Sequence, residues 1–349
     1  MRIIFSFLLL VSGVVAQAQN SHKGLLFLNK TLSADAIKQV EARTSGGGIE
    51  VTGVTNPSDA RIEVYINQSG HHGEYSKEEI RTKVETEYDL TVTASGNKLT
   101  AIAKPKKEIR NWNNVLSFSF NIYVPVACGT NLNTSGGGIS ISNLNGDQHF
   151  STSGGGLDVS GLTGKIEGRT SGGGIDVKDC KDDIDLETSG GGIEATNCTG
   201  RIRLNTSGGS LDLKKLNGNI RASTSGGNID GQMISGELDT HTSGGNINLT
   251  AMTGSLEAST SGGNIDIQFN EVGKYVKLSN SGGSVYLEMP KGKGISLDVH
   301  GDRIKTEGLS NFSGSMEKQS INGTVNGGGI PVDIHAGSGA KHTCWPPIW

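Results

Sequence analysis

The sequence predicts an all-β chain wound as a single-stranded parallel β-solenoid of 18-residue coils, and three observations predict it. The tetrapeptide TSGG opens at Thr134, Thr152, Thr170, Thr188, Thr206, Thr224, Thr242 and Thr260, always 18 residues apart. Aliphatic residues recur at fixed offsets from that threonine. Around them apolar and polar residues alternate, which is the period of a strand with one buried face. A repeat of this kind cannot bury its apolar face alone, so the coils must stack to make a core. Right-handed winding is expected from the general handedness of parallel crossovers.

With the threonine as offset 0, offset 5 holds Ile139, Leu157, Ile175, Ile193, Leu211, Ile229, Ile247 and Ile265. Offset 7 is mostly aliphatic, and offset 14 gives Ile166, Ile184, Ile202, Ile220, Leu238 and Leu256. Two short strands per coil follow, one after the glycines and one after the offset-12 glycine (Gly146, Gly164, Gly200, Gly218, Gly236, Gly254). Offset 4 runs Gly138, Gly156, Gly174, Gly192, Ser210, Asn228, Asn246, Asn264. Glycine and asparagine share tolerance of the left-handed backbone region, so this column is expected to be a corner of positive φ. The stacked Thr and Ser of the tag are expected to form side-chain ladders.

The rest of the 349 residues divides around this array. Residues 1–18 read as a cleaved signal peptide, with Arg2, an apolar run from Ile3 to Leu10 and a small-residue Ala16-Gln17-Ala18 site. No cysteine follows that run, which argues against a lipid anchor, and no later stretch approaches the ~20 apolar residues of a membrane helix. Residues 19–131 read as a β-rich N-terminal cap carrying one early TSGGGIEV at 44–51. Within it, 60–67 and 115–126 are strand-like and 76–87 is a short helix with Ile80 and Val84 inward. Residues 132–279 are the regular solenoid, 280–336 irregular coils opening on NSGG at Asn280, and 337–349 a tail with Pro346-Pro347.

The formal net charge of −4, one unit more negative once Arg2 is removed, argues against a nucleic-acid partner. At offset 6, Asp158, Asp176, Glu194, Asp212, Asp230 and Asp266 make an outward acidic ladder. It reads as a solvated face, with a weak cation-binding ribbon as the sharper alternative. SGGGID partly matches the calcium-binding G-G-x-G-x-D nonapeptide. However, its acidic residue falls inside a strand, and the second half of each coil does not repeat the motif. Cys180 and Cys198 share offset 10, as small core residues or as an inter-coil disulfide pair, and Cys128 and Cys344 stay unassigned. His71-His72 with Glu74 is a thin metal site, Trp112 a thin sugar platform, and no Lys-Ser/Thr follows the glycines to make a phosphate loop. The nearest thing to a catalytic break is Arg201, Arg203 and Arg221 on the long strands.

The stretch FNIYVPVACGTNLNTSGGGISI (120–141), followed by repeated TSGG-I-x-V units, resembles the bacterial putative-adhesin domain family. That resemblance implies an exported, envelope-associated β-repeat protein, and it transfers no catalytic or ligand residue. The expectation is therefore a non-enzymatic β-solenoid scaffold in the periplasm, at the outer surface or outside the cell. It needs no cofactor, and its partner is an envelope or cell-surface protein or glycan. A carbohydrate-active β-helix enzyme and an envelope-sensing, protein-binding module are the alternatives.

Overall fold

In a computed structural model, which describes residues 24–32, 37–68, 75–107 and 115–337, the chain is a parallel β-solenoid of about nine turns. The signal peptide, His71, His72, Glu74, Trp112 and Cys344 lie outside the described residues. Each regular coil contributes a four-residue strand and an eight-residue strand, such as Ile175–Lys178 and Lys181–Thr188. Each strand pairs in register with its equivalent 18 residues on: Ile175 faces Ile193, and Ile184 faces Ile202. Two parallel sheets result. Their inward residues are offsets 5 and 7 on the short strand, 14 and 16 on the long strand, and offset 10 on the turn between them. All enter one continuous core.

Close stacking makes the core a matter of fit between neighbouring coils. Offset 16 varies most, running Phe150, Gly168, Leu186, Leu204, Ala222 and a buried Thr240. The ring of Phe150 occupies the space that a side chain on Gly168 would need. Thr240 satisfies its hydroxyl by donating to the Ala222 carbonyl at 3.0 Å, as a buried polar group must.

The TSGG tag locks coil to coil. The threonine is buried, and its Oγ1 donates to the offset-3 glycine carbonyl of the preceding coil. The distances are 2.7 Å for Thr152 to Gly137, Thr170 to Gly155, Thr188 to Gly173 and Thr206 to Gly191. The same oxygen accepts the offset-3 amide of its own coil, as from Gly155 at 3.3 Å. The expected threonine ladder is thus a ladder of threonine–glycine clasps. Where the tag becomes NSGG, the Asn280 amide keeps both halves: Nδ2 donates to Gly263 O at 2.8 Å, and Oδ1 accepts from Gly283 N at 2.8 Å. The offset-3 glycine is there because backbones approach, since a Cβ on Gly173 would run into the Gly155 carbonyl.

The expectation of positive φ at offset 4 is corrected. The left-handed residues sit at offset 9, where Asn143, Gly161, Asp179, Asn197, Lys215, Met233 and Ala251 have φ between 54° and 63°, and at offset 12, where Gly200 is at 121°. Glycine and asparagine coincide at offset 4 for another reason: a Cβ on Gly174 would meet the Gly192 carbonyl at 3.3 Å, a tight contact that a shift of a few tenths of an ångström relieves, and Ser210, Asn228, Asn246 and Asn264 carry side chains in the same column.

The early tag is isolated in sequence but not in space. Its strands, β2 (Gln39–Thr44) and β3 (Ile49–Val54), pair in parallel with β8 (Gly129–Thr134) and β9 (Ile139–Ser142), placing Thr44 on Thr134. It is therefore a coil of the stack, and the chain between β3 and β8 builds the N-terminal end. There β6 (Lys98–Pro105) and β7 (Leu116–Pro125) add one more parallel layer to the two sheets. Antiparallel β5 (Tyr88–Ser95), β4 (Arg61–Gln68) and β1 (Leu25–Thr31) follow outside them. Helix α1 (Lys77–Glu87), capped by Ser76 and Glu79, buries Ile80 and Val84 as expected. At the other end, strands Phe312–Met316 and Ser320–Val325 form an antiparallel pair, and the second also pairs antiparallel with Ile295–His300. Both ends thus switch from parallel to antiparallel pairing, in both sheets at the N-terminal end and in the long-strand sheet at the C-terminal end, which caps those strand edges of the array.

Two substitutions separate close approach from conformation. Gly173→Ala is expected to destabilise by about 3 kcal/mol or more, as a backbone clash in a packed stack does. Gly174→Asn is expected to stay within about 0.5 kcal/mol of the parent. Urea denaturation followed by circular dichroism reads both. Thr206→Val, which removes the clasp and leaves the Gly191 carbonyl unpaired, is expected to cost about 1–2 kcal/mol in the same measurement.

Candidate functional groove

The outward columns of the two sheets differ in character. On the long strands, charges pair from coil to coil. Arg201 Nε reaches Asp183 Oδ1 at 2.9 Å, Arg203 reaches Asp185 at 3.5 Å, and Arg221 reaches Asp239 at 3.6 Å. His149 meets Glu167 at 2.8 Å. The three arginines singled out in the sequence therefore each face a carboxylate one coil away. Such exposed pairs contribute little stability individually, but they favour the stacking register.

On the short strands the acidic ladder lines a groove of about 760 Å³. Its floor is the offset-4 column, from Gly48 through Gly138, Gly156, Gly174 and Gly192 to Ser210. Its wall carries Glu50, Asp158, Asp176, Glu194 and Asp212. The column also continues into the cap, because Glu50 pairs with Ser140 on one side and Asn121 on the other. From Asn121 to Asp212 there are six strand steps of ~4.8 Å, so the groove is roughly 30 Å long. Glu50 was legible as the glutamate of the early TSGGGIE. Asn121 lies outside the repeat, and only the strand alternation of FNIYV hinted at its facing.

The groove is partly neutralised. Lys178 Nζ lies 3.0 Å from Asp176 Oδ2, and Lys214 lies 3.0 Å from Asp212 and 3.9 Å from Glu194. Hydrogen bonding to these carboxylates, then their charge, raises both lysine pKa values. Five carboxylates against two ammonium groups leave the wall acidic. Beyond the groove, Asp230 accepts from Asn248 at 2.7 Å, while burial and then Glu288 raise the pKa of Asp266. Among the described residues no three His, Cys, Asp or Glu side chains gather to hold a metal ion.

Three polar features of the groove are unsatisfied, the first being Asp176 Oδ1, which is buried without a hydrogen-bond partner. Asn121 is only 7% exposed, lines the groove, and has an Oδ1 without a hydrogen-bond partner. The backbone amides of Gly138, Gly156, Gly174, Gly192 and Ser210 also have no acceptor among the described residues. The other coils show what such an amide accepts. Asn246 N donates to Asn228 Oδ1 at 2.9 Å, Asn264 N to Asn246 Oδ1 at 2.7 Å, and Ser284 N to Asn264 Oδ1 at 2.8 Å. Ser210 Oγ serves Asn228 N at 3.1 Å and Ser119 Oγ serves Gly48 N at 3.2 Å. Where the preceding coil carries glycine at offset 4, no side chain can fill that role.

The cysteines belong to the core. Cys180 and Cys198 are buried free thiols in this structure, donating to the carbonyls of Lys178 at 3.2 Å and Thr196 at 3.4 Å. Cys128 is also buried, and desolvation pushes its thiol up to about 12, where it is inert at neutral pH.

No family model and no curated protein matches this chain. Among solved structures it is similar to a putative adhesin from Bacteroides fragilis, at 15% identity and a TM-score of 0.33, over 72% of this chain and 96% of that one. It is also similar to a putative cell adhesion protein from Clostridium sporogenes, at 12% identity and a TM-score of 0.19, over 91% of this chain and 98% of that one. Likenesses at these scores transfer no function, so the molecule's own surface has to supply it.

The raised pKa of Asp266 gives a pH test. The folded state holds that proton more tightly, so the contribution is favourable below the unfolded carboxylate pKa and is lost as pH rises through the folded value. Asp266→Asn is therefore expected to stabilise the fold slightly at pH 7 and to leave it unchanged at pH 3. Urea midpoints at the two pH values measure it.

Proposed function

We propose that the protein is an exported, non-enzymatic β-solenoid scaffold that adheres to an envelope or cell-surface partner through the groove face of its short-strand sheet. The observation that carries this reading is repetition. The same outward groups recur on successive coils, so contacts add along the axis instead of converging at one point. Extended surfaces of stacked repeats suit long partners, because many weak contacts on one ligand sum to useful affinity. The acidic wall favours neutral or cationic partners over nucleic acid or other polyanions.

The test has two arms. Protease added to intact cells is expected to degrade the native protein, and the labelled mature chain is expected to bind whole cells or isolated envelopes saturably, displaced by unlabelled chain. A protein protected in intact cells, together with no saturable binding to either preparation, would overturn the reading.

A further inference from the structure

Resting on that reading, we infer that the groove binds a linear glycan bearing N-acetyl groups, with one acetamido carbonyl inserted over the glycine floor. In the second half of the array the offset-4 amides are capped by asparagine side chains, and an asparagine side chain is chemically an acetamide. In the first half the same amides stand at the same offset, 18 residues apart, with glycine where the cap would be. The third glycine of TSGGG is thus not required by backbone conformation, since Ser210 and Asn228 take its place downstream. Its effect is to leave a row of donors uncapped and a lane open beside them.

The two sides of the lane call for opposite groups on one ligand. The floor offers N–H donors and needs carbonyl acceptors. The wall offers Glu50, Asp158, Asp176, Glu194 and Asp212 and needs hydroxyl or amide donors. At the cap end, the buried and unpartnered Asn121 Oδ1 needs a donor as well. A polymer of N-acetylated hexoses presents acetamido carbonyls and hydroxyls together along its length. A lysine-rich peptide would satisfy the wall, but its ammonium groups offer the floor nothing. A polyanion would be repelled by the wall. The lane ends at Ser210, just before Asn228 begins the filled half of the column.

The test is calorimetric titration of the mature chain with the hexamer of N-acetylglucosamine. The glucosamine hexamer serves as a cationic control, cellohexaose as a hydroxyl-only control, and oligolysine as a peptide control. Binding of the acetylated hexamer above all three is expected. The Gly156→Asn/Gly174→Asn variant, which extends the protein's own asparagine ladder into the lane, should keep the parent melting temperature and bind about tenfold or more weakly, as loss of two or more hydrogen bonds implies. Absence of binding to the acetylated hexamer, equal or tighter binding of any control, or unchanged binding by a folded variant would each overturn the inference. If the chain still adheres to cells in those cases, the adhesive reading stands and only the ligand is wrong. If it adheres to nothing, both fall.

Discussion

The structure depends on the clasp between a buried threonine and a glycine one coil away. A parallel stack has to place every coil in one register, and apolar ladders alone allow a strand to slide by two residues without leaving the core face. The clasp removes that freedom. One hydroxyl gives its proton to the preceding coil's glycine carbonyl and takes one from its own coil's glycine amide, so it fixes both the turn within a coil and the contact between coils. The glycine cannot be replaced, because its Cβ would occupy the neighbouring backbone. The substitution of Asn280 for threonine supports the point, since the asparagine reproduces both hydrogen bonds with its amide.

Once register is fixed, every column becomes a row of like environments, and chemistry can vary column by column. The inward columns carry aliphatics, with volume traded between neighbours such as Phe150 and Gly168. The long-strand surface carries both signs and pairs Arg201, Arg203 and Arg221 with carboxylates one coil away. The short-strand surface keeps its carboxylates in one column and its bare amides in the next. The groove is therefore a consequence of stacking identical corners rather than a pit cut into the fold, and its length is set by the number of coils that carry a third glycine.

Much of this was legible in the sequence, for a physical reason: an 18-residue period printed eight times leaves few architectures open. The strands, the inward columns and the helix at 77–87 followed from alternation and spacing. The role of the third glycine did not. Composition alone makes glycine and asparagine look like partners in left-handed conformation, whereas here they share a column because one leaves space and the other fills it. The left-handed corner lies at offset 9, occupied by residues as unlike as Asn143, Lys215, Met233 and Ala251, which no propensity argument would group. The early tag looked detached because 90 residues separate Thr44 from Thr134 in the chain, yet the two are adjacent in the stack. Asn121 had no repeat to announce it.

Amide hydrogen exchange, read residue by residue by NMR on the free protein, tests the account at its centre. The offset-3 amides of Gly155 and Gly173, held by threonine, and the offset-4 amides of Asn246 and Asn264, held by asparagine, should be protected. Those of Gly138, Gly156, Gly174 and Gly192 should exchange at rates near those of an open chain. Equal protection along the whole offset-4 column would contradict the account, because it would mean that the third glycine leaves no donor free.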